Sequence, residues 1–306
     1  MSEEGQANKG VYDAKVRWNR QIGVHFWKLA LDFSGEGAGA MEKFNAGQFA
    51  QLDVSGAGLP PEERIPEELR DAAKREVILR RPFSFCDVSR HGERVRAELL
   101  YCVVGPATLR MTTLRERDKI SVVGPLGNGF WVPEGKKTAL LVGGGMGTPP
   151  LQCMAKVLTE GHSEMNVLAL AGAKSVEELP FEGRKMDGIS QHLGFAIREF
   201  ARFGIESLVA TDDGSAGCKG FVTDCLRQWL GENEQPAESI VIYACGPEPM
   251  LGKVAEIAKE KKIDCQVSME RRMGCGIGLC QSCAVECRRE GSDETVYKLC
   301  CKDGPV

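Results

Sequence analysis

The sequence lacks the features that mark membrane-spanning, secreted and nucleic-acid-binding proteins. No stretch of its 306 residues approaches the roughly 18 consecutive apolar residues that a membrane-spanning helix needs. Residues 1–9 are polar and contain no apolar core, so we do not expect them to act as a signal peptide. Lysine and arginine number 39 against 43 acidic residues, and no polybasic run stands out. We therefore expect a cytoplasmic protein whose main partner is neither a membrane nor nucleic acid.

The side-chain sets that serve hydrolytic enzymes are also missing. The four histidines, His25, His91, His162 and His192, are scattered along the chain. Neither paired carboxylates nor a Ser/His/Asp set is recognisable, and no metal-hydrolase motif occurs. We therefore assign no side chain as catalytic, which suits a protein in which bound cofactors do the chemistry.

Cysteine, by contrast, is abundant and unevenly spread. Seven of the 13 cysteines lie in residues 265–306. Their odd number and the lack of a secretory signal argue against a disulfide framework. A cytoplasmic cysteine cluster more often holds metal, so we expect a metal or metal-cluster site near the end of the chain.

Two regions differ in their apolar pattern. Short apolar runs separated by turn residues recur in residues 11–54 and 77–132, which predicts an antiparallel barrel or sandwich. The predicted strands are 22–31, 49–54, 77–79, 96–104 and 119–123, and a surface excursion at 55–76 includes a short helix at 66–75. After residue 133, strands and helices alternate, which predicts a parallel sheet covered on both faces. The predicted strands are 138–142, 166–171, 207–211 and 239–244. One predicted helix follows the first strand and ends near 160, and the others cover 189–203, 221–230 and 248–261.

The glycine- and cysteine-rich segment at the end of the sequence is too short to bury a hydrophobic core of its own. It needs an additional stabilising element such as a bound metal. The fold class that follows is a multidomain α+β protein. We expect an antiparallel β-barrel domain in residues 1–132, an α/β parallel-sheet domain in 133–262 and a small cysteine-rich domain in 263–306.

The strongest motif is the spacing of three cysteines, Cys275, Cys280 and Cys283, followed by further cysteines downstream. C-x₄-C-x₂-C…C is the spacing of plant-type [2Fe–2S] proteins. The interspersed glycines let the backbone wrap closely around a cluster and direct N–H groups at its sulfurs. A zinc site or scattered free thiols are the alternatives, although zinc more naturally shows two C-x₂-C pairs. The spacing leaves the fourth ligand open among Cys287, Cys300 and Cys301.

A glycine cluster directly follows the first predicted strand of the α/β region and opens a helix. This is the place where a dinucleotide pyrophosphate rests on helix N–H groups, although a tight turn with close packing is the plainer interpretation. Its glycines are Gly143, Gly144, Gly145 and Gly147. Cys245 and Gly246 end another strand, and ligands of open parallel sheets bind at that edge.

A third motif, Arg81-Pro82-Phe83-Ser84, is predicted at the end of a strand in the barrel region and by itself fits any edge strand. Taken together, the motifs resemble the ferredoxin–NAD(P) reductase superfamily. More narrowly, they resemble the electron-transfer subunits of NAD-dependent dihydroorotate dehydrogenases. The segments that carry the resemblance are 81–84, 124–130, 143–151, 210–215, 219–224, 245–251, 270–280 and 302–306.

The resemblance implies three cofactor sites. It places FAD on Arg81, Pro82, Phe83, Ser84, Leu100, Tyr101, Cys102, Ala107 and Thr108, although Cys102 and Ala107 depart from the arginine and glycine usual there. It places NAD on Gly143, Gly144, Gly145, Gly147, Asp212, Cys245 and Gly246. It places a [2Fe–2S] cluster on Cys275, Cys280, Cys283 and Cys301, because the family's last ligand directly precedes Lys-Asp-Gly-Pro.

The resemblance also implies a function in pyrimidine biosynthesis. Electrons would come from an FMN-containing dihydroorotate dehydrogenase catalytic subunit, in a heterotetramer, and pass through [2Fe–2S] and FAD to NAD. Asp212 and Asp213 after the third α/β strand favour NAD over NADP, whereas Lys174 would suit a 2′-phosphate. The main alternative is a subunit of a related NAD(P)H–ferredoxin or sulfide oxidoreductase. A self-contained oxygenase reductase should have a longer cysteine domain, and a redox sensor would not need the flavin and dinucleotide motifs.

Overall fold

A computed structural model of the protein describes residues 9–181, 183–185, 195–289 and 291–306. The chain divides into two compact units. The first contains His25–Gly129 together with Arg271–Pro305, and the second contains Phe130–Glu270. The cysteine-rich segment therefore shares a unit with the N-terminal barrel. Among the described residues, no helix is both long enough and apolar enough to cross a membrane.

Six antiparallel strands of the first unit close into a barrel. The strands are β1 (Gly10–Ile22), β2 (Phe26–Phe33), β3 (Phe49–Leu52), β4 (Arg81–His91), β5 (Arg94–Cys102) and β6 (Lys119–Leu126). Their order around the barrel is β1-β2-β5-β4-β3-β6. The accompanying helices are α1 (Gly35–Glu42), α2 (Arg70–Ala73) and α3 (Pro106–Met111). Alternate residues of β5, such as Val95, Ala97 and Leu99, point into the apolar core, as the period of a strand requires.

The predicted antiparallel barrel is confirmed, but two of its elements differ from the prediction. The strand predicted at 77–79 is wrong, because β4 begins only at Arg81. The motif Arg81-Pro82-Phe83-Ser84 therefore begins a strand and does not end one, as was predicted. The Arg81 guanidinium donates hydrogen bonds to the carbonyls of Leu79 and Arg80. These two carbonyls therefore bond to a side chain, where those of a strand would bond to a neighbouring strand. The helix predicted at 66–75 is shorter than expected and consists of a 3₁₀ turn, Glu67–Leu69, followed by α2.

The second unit is built on a six-stranded parallel sheet. Its elements are β7 (Thr138–Gly144), α4 (Thr148–Gly161), β8 (Asn166–Ala173), β9 (Gly183–Lys185), β10 (Phe195–Ile197), α5 (Arg198–Ala201), β11 (Glu206–Thr211), β12 (Cys218–Lys219), α6 (Val222–Glu232), β13 (Ile240–Cys245), α7 (Glu248–Lys261) and β14 (Asp264–Ser268). The sheet order is β12-β11-β8-β7-β13-β14, and β9 pairs separately with β10. All seven residues of β7 are buried, as expected of a central strand covered on both faces.

The predicted parallel sheet is confirmed, and two predictions around it need correction. The helix predicted at 189–203 is wrong where the structure describes it, because β10 precedes the four residues of α5; residues 189–194 lie outside the described residues. Residues 264–268, assigned above to the cysteine-rich segment, form the edge strand β14 beside β13. The polar composition of this strand, which includes the buried Gln266 and Ser268, hides it from an apolar pattern.

The cysteine-rich segment contains little secondary structure and packs on the barrel. Its elements are the hairpin β15 (Ala284–Arg288) and β16 (Thr295–Leu299) and the short helix α8 (Cys300–Asp303). After β6, the Asn128 backbone N–H donates to the Gly304 carbonyl, and its side-chain amide donates to the Asp303 carbonyl at 3.1 Å. Gly127, at φ +71°, makes this approach possible, because a Cβ there would lie 2.6 Å from the Gly304 oxygen.

Candidate iron–sulfur, flavin and nucleotide sites

The cysteine loop directs backbone N–H groups at sulfur. The Cys275 Sγ accepts hydrogen bonds from the N–H groups of Ile277, Leu279 and Cys280 at 3.5, 3.3 and 3.3 Å. The N–H groups of Cys280 and Ile277 are the main cause of a lowered pKa at Cys275. Gly276 and Gly278, at φ +71° and +88°, provide the turns that aim these donors inward. The loop therefore stabilises a thiolate, which is the form that binds a metal.

Cys280 is the second sulfur of this loop. Its Sγ accepts a hydrogen bond from the Cys275 N–H at 3.4 Å and lies 3.1 Å from the Ser282 hydroxyl. The Ser282 hydroxyl and backbone N–H are the main causes that lower the pKa of Cys280 to about 6. Cys275 and Cys280 thus form a pair in which each backbone N–H donates to the other sulfur.

Cys283 and Cys301 form a second, buried pair. Both cysteines are about 2% exposed, and the Cys301 thiol is hydrogen-bonded to the Cys283 thiol. Burial, followed by the neighbouring Cys283, raises the pKa of Cys301 to about 12, and Cys275 is near enough to raise it further. Cys300, the adjacent candidate, begins α8, and its backbone N–H donates to the Cys283 carbonyl at 3.0 Å. The fold therefore brings the Cys301 thiol beside those of the C-x₄-C-x₂-C loop.

The pairing of the cysteines suits a two-iron cluster. Cys275 is hydrogen-bonded to Cys280, and Cys301 to Cys283, so the four side chains lie as two neighbouring pairs. A [2Fe–2S] cluster uses four thiolates for two irons. The donor set therefore fits the cluster, and the identity of its ligands stays a prediction.

The flavin motif begins strand β4. Arg81, Pro82, Phe83 and Ser84 are all half-buried, and this stretch pairs with β3, Leu52 lying opposite Arg81. The Arg81 guanidinium donates to the Leu79 carbonyl at 2.6 Å, so its charge is held at the start of the strand. A half-buried cation of this kind fits a phosphate or another anionic group.

The other predicted flavin residues have roles of their own in the barrel. Leu100 and Tyr101 are buried, and the Tyr101 hydroxyl donates to the Asn19 side-chain oxygen at 3.1 Å. Burial raises the pKa of Tyr101, so the phenol is neutral. The Thr108 hydroxyl accepts the N–H groups of Val104 and Gly105 ahead of α3. The last two, Ala107 and Cys102, are buried and half-buried respectively. Their contact with a flavin stays a prediction.

The glycine turn after β7 packs against the end of β13. Gly143 lies opposite Cys245 in the sheet, and the turn continues into α4. A Cβ on Gly147 would lie 2.2 Å from the Cys245 carbonyl oxygen, and one on Gly144 would lie 2.6 Å from the Met250 sulfur. Close packing therefore already requires these glycines. The same packing brings the two predicted nucleotide motifs together at the carboxyl edge of the sheet, where such ligands bind.

One polar group at this turn escaped the sequence analysis. Thr148 begins α4, is 1% exposed, and its hydroxyl has no hydrogen-bond partner. A threonine before two prolines gives no sequence signal that separates it from an ordinary helix start. A buried hydroxyl without a partner beside the first turn of a helix fits a site for a phosphate group.

The two aspartates after β11, Asp212 and Asp213, have different hydrogen bonds. The Asp213 carboxylate accepts hydrogen bonds from the Ser215 hydroxyl and backbone N–H at 2.6 and 2.9 Å, and these hold its pKa below the usual value. Asp212 is exposed, and its backbone N–H donates to the Ala173 carbonyl. Lys174 is exposed beside them, and its carbonyl accepts the Asp213 N–H at 3.1 Å. The groups expected to favour NAD and NADP therefore lie in one loop cluster.

Comparison with known proteins gives matches over nearly the whole chain. The family model of the iron–sulfur cluster binding domain of dihydroorotate dehydrogenase B matches residues 270–306. The dihydroorotate dehydrogenase B (NAD(+)) electron transfer subunit of Bacillus velezensis is 36% identical, covering 95% of this chain and 94% of its own. The same subunit of Fusobacterium nucleatum is 38% identical, covering 97% and 96%.

Solved structures show the same fold. The NADH-dependent reduced ferredoxin-NADP oxidoreductase, described for flavin-based electron bifurcation, has a TM-score of 0.68 and 26% identity, covering 95% of this chain and 86% of its own. Phthalate dioxygenase reductase, described as a modular structure for electron transfer from pyridine nucleotides to [2Fe–2S], has a TM-score of 0.55. It is 17% identical and covers 96% of this chain and 78% of its own.

The two adjacent cysteines allow a direct test of the predicted fourth ligand. We expect Cys301→Ser to reduce bound iron from two per chain towards none, because it removes the thiol beside Cys283. Cys300→Ser should keep the iron and the electron paramagnetic resonance (EPR) signal of the reduced cluster. Iron analysis and EPR of both variants make the measurement. The reverse pattern would show that the assignment is wrong by one residue.

Two adjacent arginines allow a matched test of the flavin motif. Arg81→Ala should lower the FAD content several-fold and leave iron in place, because it removes the half-buried cation at the start of β4. Arg80→Ala is the control, since Arg80 is held locally by the Ser121 carbonyl and by Asp53. FAD is measured by absorbance after release. Equal FAD loss in both variants, or loss of iron with FAD from Arg81→Ala, would contradict the assignment.

Proposed function

The chain belongs to the family of the electron transfer subunits of dihydroorotate dehydrogenase B, and we propose from this that it passes electrons between a partner flavoprotein and NAD. Dihydroorotate oxidation would take place on the separate catalytic subunit. When bound, the cluster would carry single electrons, FAD would exchange one and two electrons, and NAD would accept a hydride.

The observation that carries the proposal is the set of two cysteine pairs in the unit that also contains the flavin strand. Cys275 and Cys280 would hold one side of the cluster, and Cys283 and Cys301 the other. The N–H groups of Ile277 and Leu279 stabilise negative charge on sulfur and so favour the reduced cluster. The chain's own contribution at this site is to bind the cluster and to supply these donors.

The remaining residues would bind and orient the other two cofactors. Arg81 to Ser84 would hold FAD, with the Arg81 cation supplying charge for an anionic part of the cofactor. The glycine turn and Gly246 at the end of β13 would admit the NAD pyrophosphate, because glycine presents no side chain. Burial raises the pKa of the neighbouring Cys245 to about 12, so Cys245 would lie beside the nucleotide as a neutral thiol.

Exposed apolar side chains beside the cysteines support a protein partner. Leu279 and Ile277 lie in the cluster loop and are 77% and 50% exposed. A partner that covers them would remove apolar surface from water close to the predicted electron entry point. We propose that this partner is the FMN-containing catalytic subunit, in a heterotetramer. The cytoplasm is the compartment proposed, because the structure joins none of the thirteen cysteines in a disulfide.

A related NAD(P)H–ferredoxin or sulfide oxidoreductase subunit is the second candidate. The likeness to the NADH-dependent reduced ferredoxin-NADP oxidoreductase favours it, since that protein shares the fold over most of both chains. The two candidates require the same cofactors and differ in the partner that exchanges electrons with the cluster.

Co-expression with an FMN-containing dihydroorotate dehydrogenase catalytic subunit tests the proposal. The purified chain should contain one FAD and two irons, and the complex should reduce NAD with dihydroorotate as the electron donor. The Leu279→Asp variant should weaken the complex at least tenfold and keep both cofactors, because it places a charge on the exposed loop. Tyr297→Asp, a matched change at a 73% exposed residue of β16, is the control.

Absorbance measures the flavin, iron analysis measures the cluster, and the formation of NADH measures electron transfer. Failure to bind the catalytic subunit, together with rapid electron exchange with ferredoxin, would select the second candidate. Bound zinc without iron or acid-labile sulfide would contradict both.

A further inference from the structure

Strand β3 has a buried polar residue on its outer face. Ala50 and Leu52 belong to the apolar core of the barrel. Side chains alternate along a strand, so Phe49 and Gln51 point the other way. Nevertheless they are only 3% and 2% exposed, so the outer face of β3 is covered. The register of β3 against β6 also shifts between Phe49 and Gln51, an irregularity of the kind that re-aims a side chain.

The cysteine loop is what lies over Gln51. A Cβ on Gly276 would lie 2.3 Å from the Gln51 Nε2. This is the residue that follows Cys275, and its φ of +71° turns the loop. The amide group of Gln51 therefore lies directly against the backbone of the proposed cluster loop, at a distance that only glycine at position 276 allows.

The Gln51 amide nitrogen has no hydrogen-bond partner, although it is buried. An amide that gives up its hydrogen bonds to water without replacing them loses free energy, so such groups in native proteins usually serve a ligand, an ion or a water. Two N–H donors on this nitrogen are available to an acceptor at the cysteine loop. Sulfur atoms of an iron–sulfur cluster are acceptors of this kind.

Gln51 is also a neighbour of the flavin motif. It pairs with Pro82 across β3 and β4, and the next pair is Leu52 with Arg81. One residue of the barrel thus contacts the cysteine loop through its side chain and the flavin strand through its backbone. All of these residues belong to the same compact unit.

We propose that the Gln51 side-chain amide donates a hydrogen bond to the sulfur side of the [2Fe–2S] cluster and thereby raises its reduction potential. This inference rests on the proposed function, since it requires the cluster. The donor stabilises the extra negative charge of the reduced cluster, which is how hydrogen bonds to sulfur tune such centres. Gln51 is therefore a positioning and tuning residue, and it exchanges no electrons itself.

The experiment is an EPR-monitored redox titration of the purified chain and of three variants. Gln51→Met keeps an unbranched side chain of similar length and lacks the donor, and Gln51→Glu replaces the donor with a carboxylate. The matched control is Gln48→Met, because the Gln48 amide is partnered by the Gly127 carbonyl at 2.9 Å and the Asn45 N–H at 2.8 Å. Iron, acid-labile sulfide and FAD are measured on every sample.

We expect Gln51→Met to keep both cofactors and to lower the cluster midpoint potential. The ratio of reduced to oxidised cluster at a fixed potential should fall by about tenfold, which corresponds to about 59 mV for one electron. Gln51→Glu should lower the potential at least as far, and Gln48→Met should leave it unchanged.

Three results would overturn the tuning role. The first is a Gln51→Met midpoint equal to that of the parent chain. The second is a shift of the flavin potential or a loss of FAD with an unchanged cluster, which would assign the amide to the flavin. The third is loss of iron from both Gln51 variants with FAD retained, which would make Gln51 a structural support. A parent chain without iron would instead refute the proposed function.

Discussion

The packing of the cysteine loop on the outer face of the barrel is the constraint on which the first unit depends. The segment that carries the loop has a two-stranded hairpin with mostly exposed side chains and a helix of four residues, so it buries little of its own. Its backbone is instead hydrogen-bonded to Asn128 in the loop after β6. The cysteine loop also approaches Gln51 of β3 so closely that residue 276 must be glycine. A cysteine segment held in this way needs a core supplied by the barrel and, in the proposed function, a cluster.

The charge distribution of the cysteine loop follows from the same backbone. N–H groups converge on Cys275, and Ser282 supports Cys280, so two sulfurs favour the thiolate before any metal is considered. Cys283 and Cys301 are buried beside each other. The pKa of Cys301 is raised, so its thiolate is stable only when a cation compensates for burial. Hydrogen bonds from the chain therefore stabilise the thiolates of Cys275 and Cys280, whereas the Cys301 thiolate would need the positive charge of iron.

The sequence predicted the elements whose signal is local and strong. The apolar run of β7 and the alternation of strands and helices specified the parallel sheet, and the C-x₄-C-x₂-C spacing specified which cysteines come together. It missed β14, whose residues are mostly polar, and it placed a strand at 77–79, where the structure begins β4 only at Arg81. It also missed Thr148 and Gln51. Whether a polar atom is buried and lacks a hydrogen-bond partner depends on neighbours that lie far away in the sequence. The fourth cysteine needed a family resemblance, since adjacent residues cannot be separated by spacing.

In the proposed function, this one chain contains the whole electron route between a pyridine nucleotide and an iron–sulfur cluster. The decisive measurement is an anaerobic titration of the isolated chain with NADH, followed by absorbance and EPR on the same samples. We expect NADH to bleach the flavin and also to produce the EPR signal of a reduced [2Fe–2S] cluster, without any partner present. The proposed route is wrong if the flavin bleaches while the cluster stays oxidised and EPR-silent, although dithionite reduces it.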